Sequence, residues 1–234
     1  TFVRDGDEYV VNGGKVMVTQ AAEGDVKFVF AMDYDGDGIM KGLIIDGDAP
    51  GVTSAPQAKL VPSGDGWGSL NFSDVRIPAD NIVDTANSDI PFLAPGFLEV
   101  GFSGILQYAT QRTRYGKPLT NLQKVVHRIV DMGIKVESAR SLAFDAAQKW
   151  DAGQYEEANR LCMMVKVLGT ETSTAVSHDA MLLYGGLGVT PEVPVAALYM
   201  TATSLEIAEG TNDILRDFIG ETYGMKTGWK NGQR

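Results

Sequence analysis

Cysteine and histidine are nearly absent from this sequence, which narrows the chemistry that its own side chains can perform. The 234 residues include one cysteine, Cys162, and two histidines, His127 and His178, which lie far apart. One cysteine cannot form a disulfide within the chain, and the histidines have neither metal-ligand spacing nor a catalytic-triad pattern. Cys162 stands in the apolar run LCMMVKVLG, so we expect a reduced thiol in the core. Any redox chemistry therefore belongs to a bound cofactor.

Positive charge is scarce, and no long apolar run is present. Twenty Lys and Arg residues stand against 30 Asp and Glu residues, which gives a net charge of −10. This charge repels phosphates, so we expect no nucleic-acid partner. No stretch approaches the roughly 20 apolar residues of a membrane span, and no charged and then apolar leader opens the chain. We therefore expect a cytoplasmic protein without a membrane span.

The first ninety residues have the pattern of a β-domain. Residues 9–11 and 15–19 flank Asn12-Gly13-Gly14, which predicts a hairpin with a positive-φ turn. Residues 67–77 end in alternating apolar and polar side chains, which is typical of a half-buried strand. Short strands at this spacing predict a small antiparallel barrel or sandwich.

An acidic loop lies between two further predicted strands, 26–32 and 42–46. Its sequence from Asp33 to Gly38 matches the D-x-D-x-D-G opening of a calcium-binding EF-hand loop. The twelfth position, however, is Ile44, where a bidentate glutamate is needed. We therefore interpret the segment as a solvated hairpin loop.

From residue 97 onward the apolar periodicity becomes that of helices. Spacings of three and four residues predict two long helices, 121–150 and 155–184, and Gly185-Gly186 stops the second. Shorter helices are predicted at 97–112, 194–208 and 212–223. We expect an antiparallel bundle over residues 91–234, and an α+β fold for the whole chain.

The stretch LEIAEGTNDILR, residues 205–216, holds the candidate catalytic group. An apolar run ends there in Glu209-Gly210-Thr211, and Thr211 or Asn212 can cap the helix that follows. A carboxylate on a turn is a candidate base, and Gly210 leaves an N–H that no side chain covers and that can bind a developing oxyanion. Taken alone, however, the tripeptide is more typical of an ordinary capped loop.

Four separated segments together resemble the acyl-CoA dehydrogenase family in order and spacing. They are EYVVNGGKVMVT, QRTRYGKPL, DAMLLYGGLG and LEIAEGTNDILR, which begin at residues 8, 111, 179 and 205. The resemblance covers the family's middle β-domain and C-terminal helical domain, and the family's N-terminal helical domain is not represented. It implies that residues 1–90 form the flavin and substrate side, and that residues 91–234 carry the FAD contacts and the catalytic carboxylate.

The resemblance implies an FAD-dependent enzyme that desaturates an acyl-CoA thioester between Cα and Cβ. The family's base matches Glu209, which takes the α-proton while the β-hydride passes to the flavin. The N–H of Gly210 matches the family's donor to the thioester carbonyl, and stabilising that oxygen lowers the pKa of the α C–H. The resemblance also implies an electron-transfer flavoprotein as acceptor. The assembly it implies is a homo-tetramer or hetero-oligomer, because the family's FAD site spans two subunits.

The resemblance assigns cofactor contacts by position. Arg112 matches an arginine that contacts the FAD pyrophosphate of a neighbouring subunit, and a guanidinium can bind phosphate oxygens bidentately. The other matched positions are Met17, Thr19, Tyr115, Gln123, Gly185, Gly186, Thr211 and Asp213. Without the family pattern, Arg112 belongs to a solvated basic cluster with Arg114 and Lys117, and the two glycines are an ordinary helix C-cap.

Two alternatives to an active dehydrogenase stay open. Met17 replaces a tryptophan that is frequent in the family, and Leu182 replaces a glutamine. These departures suggest a non-catalytic or partner subunit of a heteromeric flavoprotein, which bound flavin in the purified protein would argue against. The same scaffold can also serve an oxidase or an enoyl-CoA reductase, because direction and electron acceptor depend on flavin potential and oxygen access.

Overall fold

The chain divides into two compact units, Thr1–Ile90 and Pro91–Arg234. The computed structural model describes residues 1–33, 36, 38, 40–61, 66–83, 96–208 and 210–226, with the backbone alone for 96–101. Within these ranges the first unit is built of strands and the second mainly of helices. This is the α+β fold that the periodicity predicts.

The β unit contains two antiparallel sheets. Its described strands are β1 (Phe2–Asp5), β2 (Glu8–Thr19), β3 (Val26–Met32), β4 (Met40–Asp46), β5 (Val52–Gln57), β6 (Trp67–Pro78) and β7 (Ile82–Val83). One sheet has the order β1-β2-β6-β5, and the other has the order β3-β4-β7. The predicted strand pair around the acidic loop is confirmed, since β3 and β4 pair from Val26↔Asp46 to Met32↔Met40.

The predicted hairpin at Asn12-Gly13-Gly14 is wrong, because both of its halves belong to the single strand β2. Both halves pair with the same neighbour, β6, and the register shifts next to Gly13 and again between Lys15 and Val18. Gly13 has a φ of +133° and lies beside the first shift, where β2 continues as a strand and does not turn back. Pairing along the 12-residue strand β6 therefore outweighs the local turn preference.

Strand β6 supplies part of the β-unit core. Its apolar residues Leu70, Phe72, Val75 and Ile77 are at most 4% exposed. The alternation shifts after Phe72 because β6 bulges at Asp74, which has a φ of +52°. There the Asp74 N–H donates to Asn12 Oδ1 at 2.9 Å, and Asn12 Nδ2 donates to Asp74 Oδ1 at 3.0 Å. The bulge keeps the apolar residues on both sides of it facing the core.

The helical unit follows the predicted boundaries to within three residues at every helix end. Its described α-helices are α1 (Gly96–Gln111), α2 (Gln123–Asp151), α3 (Tyr155–Tyr184), α4 (Val195–Leu205) and α5 (Asn212–Thr222). The buried residues of α2 recur at intervals that place them on one face of the helix: Ile129, Met132, Val136, Ala139 and Ala146.

Helix α3 is the central helix of this unit. It packs against α1, α2, α4 and α5, so most of its middle is enclosed. The apolar residues Leu161, Val165 and Val176 are buried, and so is Lys166, which is 3% exposed. Cys162 is buried and forms no disulfide, as predicted. Amphipathic periodicity therefore underestimates how much of this helix is enclosed.

The acidic loop is described only in part. Asp35 and Asp37 lie outside the described residues, while Asp33 pairs with Lys41, with Nζ and Oδ2 3.5 Å apart. Among the residues that the structure does describe, no group of three or more His, Cys, Asp or Glu side chains could hold a metal ion. Nor is any described helix both long and apolar enough to cross a membrane.

Candidate active site

The segment between α4 and α5, which we call the 206–212 turn, is closed by backbone hydrogen bonds. The Ala208 N–H donates to the Ser204 carbonyl at 3.1 Å, and the Asn212 N–H donates to the Glu206 carbonyl at 3.0 Å. Gly210 has a φ of +94°, a conformation that favours glycine. The predicted base, Glu209, lies outside the described residues, so the turn is described by its neighbours on both sides.

Thr211 is the N-cap of α5, since its Oγ1 accepts the Ile214 N–H at 3.3 Å. Asp213 stands in the first turn of the helix, is almost fully exposed and pairs with Arg216 at 3.5 Å. An acidic residue there interacts favourably with the helix dipole. Among the described residues, no backbone acceptor is hydrogen-bonded to the Gly210 N–H.

The ammonium group of Lys166, on α3, binds the 206–212 turn from the interior of the helical unit. Its Nζ donates to the carbonyl oxygens of Gly210 at 2.8 Å and Glu206 at 3.2 Å. It also donates to Asn212 Oδ1 at 2.8 Å. A buried ammonium is tolerated where such oxygen atoms replace water. Charge-assisted hydrogen bonds thus join α3 to the turn.

Asn212 extends this polar network into α5. The residue is 5% exposed, and its Nδ2 donates to Thr170 Oγ1 at 3.0 Å and to Glu171 Oε1 at 3.4 Å. Glu171 in turn accepts a hydrogen bond from Arg216. That hydrogen bond is the main reason why the pKa of the Arg216 guanidinium is raised. The start of α5 is therefore held against α3 by several polar contacts.

A short hairpin, β8 (Thr113–Arg114) and β9 (Lys117–Pro118), follows α1. Tyr115 and the glycine after it have φ values of +52° and +74°, which a type I′ turn requires. Tyr115 is 89% exposed, and the Arg114 guanidinium carbon lies 6.0 Å from the centroid of its ring. Arg112 is exposed and forms no ion pair within the described part of the chain. No described hydrogen bond joins either Arg112 or Tyr115 to the 206–212 turn.

The end of α3 and the start of α2 meet at one cleft. Gln123, the first residue of α2, lines this cleft together with Leu183 near the end of α3. Gly185 is the C-cap of α3, with a φ of +66°. Among the described residues beyond their chain neighbours, no atom lies within 4 Å of a Cβ built at Gly185 or Gly186. A ligand can therefore approach this backbone closely.

Met17 and Thr19 lie near the end of β2 in the β unit. The Met17 N–H donates to Gln57 Oε1 at 3.1 Å, and the residue has a φ of +57° and is 59% exposed. Thr19 is also exposed and is paired with Trp67 of β6. The register shift before Val18 takes Met17 out of the regular strand alternation, as a β-bulge does.

Lys166 and Asn212 are not among the site residues that the sequence predicts. One signal was present, because Lys166 interrupts the apolar run CMMVKVLG, and a lysine is rarely buried unless it is paired. Its partners, however, lie 40 to 46 positions further along the chain. Only the folded chain brings them together.

Comparison with known proteins assigns both units to one family. The sequence profile described as "Acyl-CoA dehydrogenase, C-terminal domain" matches residues 91–224, and "Acyl-CoA dehydrogenase, middle domain" matches residues 1–75. A human relative, short-chain specific acyl-CoA dehydrogenase, mitochondrial, is 32% identical over 230 residues, which cover 91% of this chain and 55% of that protein.

Solved structures agree with the sequence comparison. Butyryl-CoA dehydrogenase from Megasphaera elsdenii has a TM-score of 0.85 at 26% identity, over 96% of this chain and 63% of that chain. A structure described as "FAD complex of PigA" has a TM-score of 0.87 at 25% identity, over 96% of this chain and 62% of that chain. The chain spans 60% or less of the length of the first curated relatives it matches. Because the C-terminal profile alone covers more than half of the 234 residues, the chain belongs to the acyl-CoA dehydrogenase family.

Proposed function

We propose that this chain carries the middle and C-terminal domains of an FAD-dependent acyl-CoA dehydrogenase with Glu209 as its base. The observation that carries the proposal is the 206–212 turn. An interior lysine holds this turn, and the Gly210 N–H next to Glu209 has no backbone acceptor among the described residues. A carboxylate and an adjacent N–H donor are the two groups that α-proton abstraction next to a carbonyl needs.

The proposed step divides the chemistry between two neighbouring residues. Glu209 accepts the α-proton of the acyl thioester and becomes a carboxylic acid. The Gly210 N–H donates a hydrogen bond to the thioester oxygen as negative charge develops there. Because the two groups are consecutive in the chain, one turn sets the position of both.

FAD, when bound, supplies the acceptor for the β-hydride. Two features of this chain fit such a ligand: the exposed Arg112 guanidinium, which suits a pyrophosphate, and the uncovered backbone at Gly185 and Gly186. We propose that Thr19 and Met17 contribute from the β unit, which forms the flavin and substrate side. The remaining proposed contacts are Tyr115, Gln123, Thr211 and Asp213.

The proposed substrate class is acyl-CoA, and the proposed electron acceptor is an electron-transfer flavoprotein. The names of the similar proteins support the substrate class, since one is a short-chain specific acyl-CoA dehydrogenase and another is a butyryl-CoA dehydrogenase. We propose a homo-tetramer or hetero-oligomer, in which Arg112 of one subunit contacts the FAD of its neighbour.

The substitution Glu209→Gln tests the proposed base because it keeps the shape of the side chain and removes its basicity. We expect α-proton exchange and flavin bleaching with acyl-CoA substrates to be lost, while flavin remains bound as in the wild type. Glu192→Gln, at an exposed carboxylate before α4, is the matched control and should keep both activities. Wild-type exchange in Glu209→Gln would exclude Glu209 as the base. Absence of flavin from the native assembly would favour the partner-subunit alternative.

A further inference from the structure

We infer that Lys166 is a positioning residue for the proposed base: its buried ammonium holds the described residues of the 206–212 turn on both sides of Glu209 in the sequence, and with them the Gly210 N–H. This inference rests on the proposed function and extends it to a residue on a different helix. Lys166 acts through the backbone of the turn and is not assigned a contact with substrate.

The acceptors of Lys166 lie on both sides of Glu209 in the sequence. The Glu206 carbonyl precedes Glu209 and the Gly210 carbonyl follows it, at 3.2 Å and 2.8 Å from Nζ. One nitrogen bound to both carbonyls limits the distance between them. The Glu206 and Gly210 carbonyls therefore cannot move apart without breaking a charge-assisted hydrogen bond.

The turn has an inner edge and an outer edge with different environments. The inner carbonyls of Glu206 and Gly210 bind Lys166, whereas Ile207 is 67% exposed and Ala208 is also exposed. An anchored inner edge fixes where the exposed residues stand. This matters for catalysis, because a displacement of about 1 Å of a reacting group can lower the rate about 10²-fold.

Burial makes the ammonium difficult to replace. Lys166 is 3% exposed, so bulk water would not take over its hydrogen bonds if the charge were removed. Carbonyl groups that lose a buried donor pay the desolvation penalty without the hydrogen bond. The turn would then move toward solvent to recover partners for these oxygens.

Asn212 and Thr170 carry the same restraint to the start of α5. Asn212 Oδ1 accepts from Lys166 at 2.8 Å, and its Nδ2 donates to Thr170 Oγ1 at 3.0 Å. The Thr170 hydroxyl donates to the carbonyl of Lys166 itself at 2.9 Å. The turn and the first residue of α5 are therefore restrained by one connected group of side chains on α3.

The substitution Lys166→Met tests the inference, because methionine is a flexible, unbranched side chain that fills the site without an ammonium. Val176→Ala is the stability control, since it removes buried methyl groups from the same helix, where Val176 is 1% exposed. Lys135→Met is the charge control at an exposed position on α2. The variants are compared as flavin-loaded proteins well below their melting temperatures.

Two measurements together distinguish a loss of positioning in the turn from a loss of overall stability. In Lys166→Met we expect hydrogen exchange of the backbone amides of residues 206–212 to become about tenfold faster or more, through local opening. We expect kcat to fall about 10²-fold, with KM and bound flavin little changed. Both controls should keep wild-type exchange in the turn and wild-type kcat. This should hold even if Val176→Ala lowers the melting temperature as much as Lys166→Met does.

Unchanged exchange of the 206–212 amides in folded Lys166→Met would overturn the inference. An equal loss of kcat in Val176→Ala would also overturn it, since the effect would then follow stability alone. If Lys166→Met does not accumulate as folded protein, Lys166→Gln, whose shorter amide cannot reach both carbonyls, takes its place with the same expectations.

The Glu209→Gln variant distinguishes failure of this inference from failure of the proposed function. Wild-type activity in Glu209→Gln would show that the proposed base is wrong, and the role of Lys166 would be wrong with it. If Glu209→Gln is inactive while Lys166→Met keeps both kcat and slow exchange in the turn, only the role of Lys166 is wrong.

Discussion

The Nζ atom of Lys166 lies 2.8 Å from the carbonyl oxygen of Gly210, 44 positions further along the chain. This hydrogen bond links the central helix of the helical unit to the turn that holds the proposed base. Connecting segments are generally the mobile parts of a fold, although catalytic groups often lie on them. A buried lysine that binds the turn from inside restrains a connecting segment that carries a proposed catalytic group.

Gly210→Ala should destabilise the protein by about 1 to 3 kcal/mol, because a residue with a side chain is strained at a φ of +94°. Space is not the cause, since the nearest atom to an added Cβ is Leu215 Cδ2 at 3.6 Å, an ordinary contact. Denaturant unfolding measures the loss. Gly104→Ala, in the middle of α1 with Tyr184 Oη at 3.5 Å from the added Cβ, is the matched control and should not destabilise. An equal loss of unfolding free energy in both variants would contradict the explanation by the positive φ of Gly210.

Thr170→Val should lower the free energy of unfolding by about 1 to 3 kcal/mol, because Asn212 Nδ2 loses a buried acceptor. The control is Thr203→Val. Both threonine hydroxyls donate to the carbonyl four residues earlier at 2.9 Å, but Thr170 is buried and Thr203 is exposed. Chemical denaturation should show only a small change in the free energy of unfolding for Thr203→Val and the larger loss for Thr170→Val. Similar losses would mean that the local hydroxyl bond, and not the network, sets the cost.

Arg112→Ala should raise the dissociation constant for FAD about tenfold to a hundredfold, the effect expected for losing a charged hydrogen bond of about 1.5 to 3 kcal/mol. Titration of the flavin-free protein with FAD measures the change. Arg114→Ala on the same hairpin removes an equal charge from a residue that lies over the Tyr115 ring. Equal weakening in both variants would favour a general basic cluster over a specific phosphate contact.

Tyr184→Phe should reduce the loss of unfolding free energy that occurs at alkaline pH. Burial, and to a smaller extent the neighbouring Tyr108, raises the pKa of the Tyr184 phenol. The stability that this group contributes is present below about pH 10, where the unfolded chain keeps its proton, and is lost as the pH rises through the folded pKa. Unfolding free energies measured upward from about pH 10 should therefore fall less steeply in the variant.

The control for this pH effect is Tyr155→Phe, at a phenol that is 54% exposed. It removes a phenolic hydroxyl without the burial that raises the pKa of Tyr184, so the two variants should differ in the slope of stability against pH. The Tyr184 and Tyr108 ring centroids are 4.3 Å apart. A wild-type slope in Tyr184→Phe would show that burial of Tyr184 beside Tyr108 does not cause the loss of unfolding free energy at alkaline pH.

The helices were predictable because their signals are local. Helix α3 begins shortly after Gly153 and ends at Gly185, and both glycines have positive φ values, +73° and +66°. Three- and four-residue periodicity between such stops depends only on neighbours in the chain. The hairpin prediction at Asn12-Gly13-Gly14 was wrong for the opposite reason, because both halves of β2 pair with a strand whose partner residues lie 48 to 70 positions away.

By itself, the sequence determined the α+β class, the helix boundaries to within three residues and the motifs that mark the family, and it left the N-cap of α5 open between Thr211 and Asn212. Each of these depends on residues that are close together in the chain. Only the tertiary structure decided that β2 bulges along β6 and that Lys166 is buried against the 206–212 turn. A lysine can be buried only where oxygen atoms replace its water, and its three described acceptors lie 40 to 46 positions away. Which oxygens surround a buried charge is a property of the packed chain, and no local pattern encodes it.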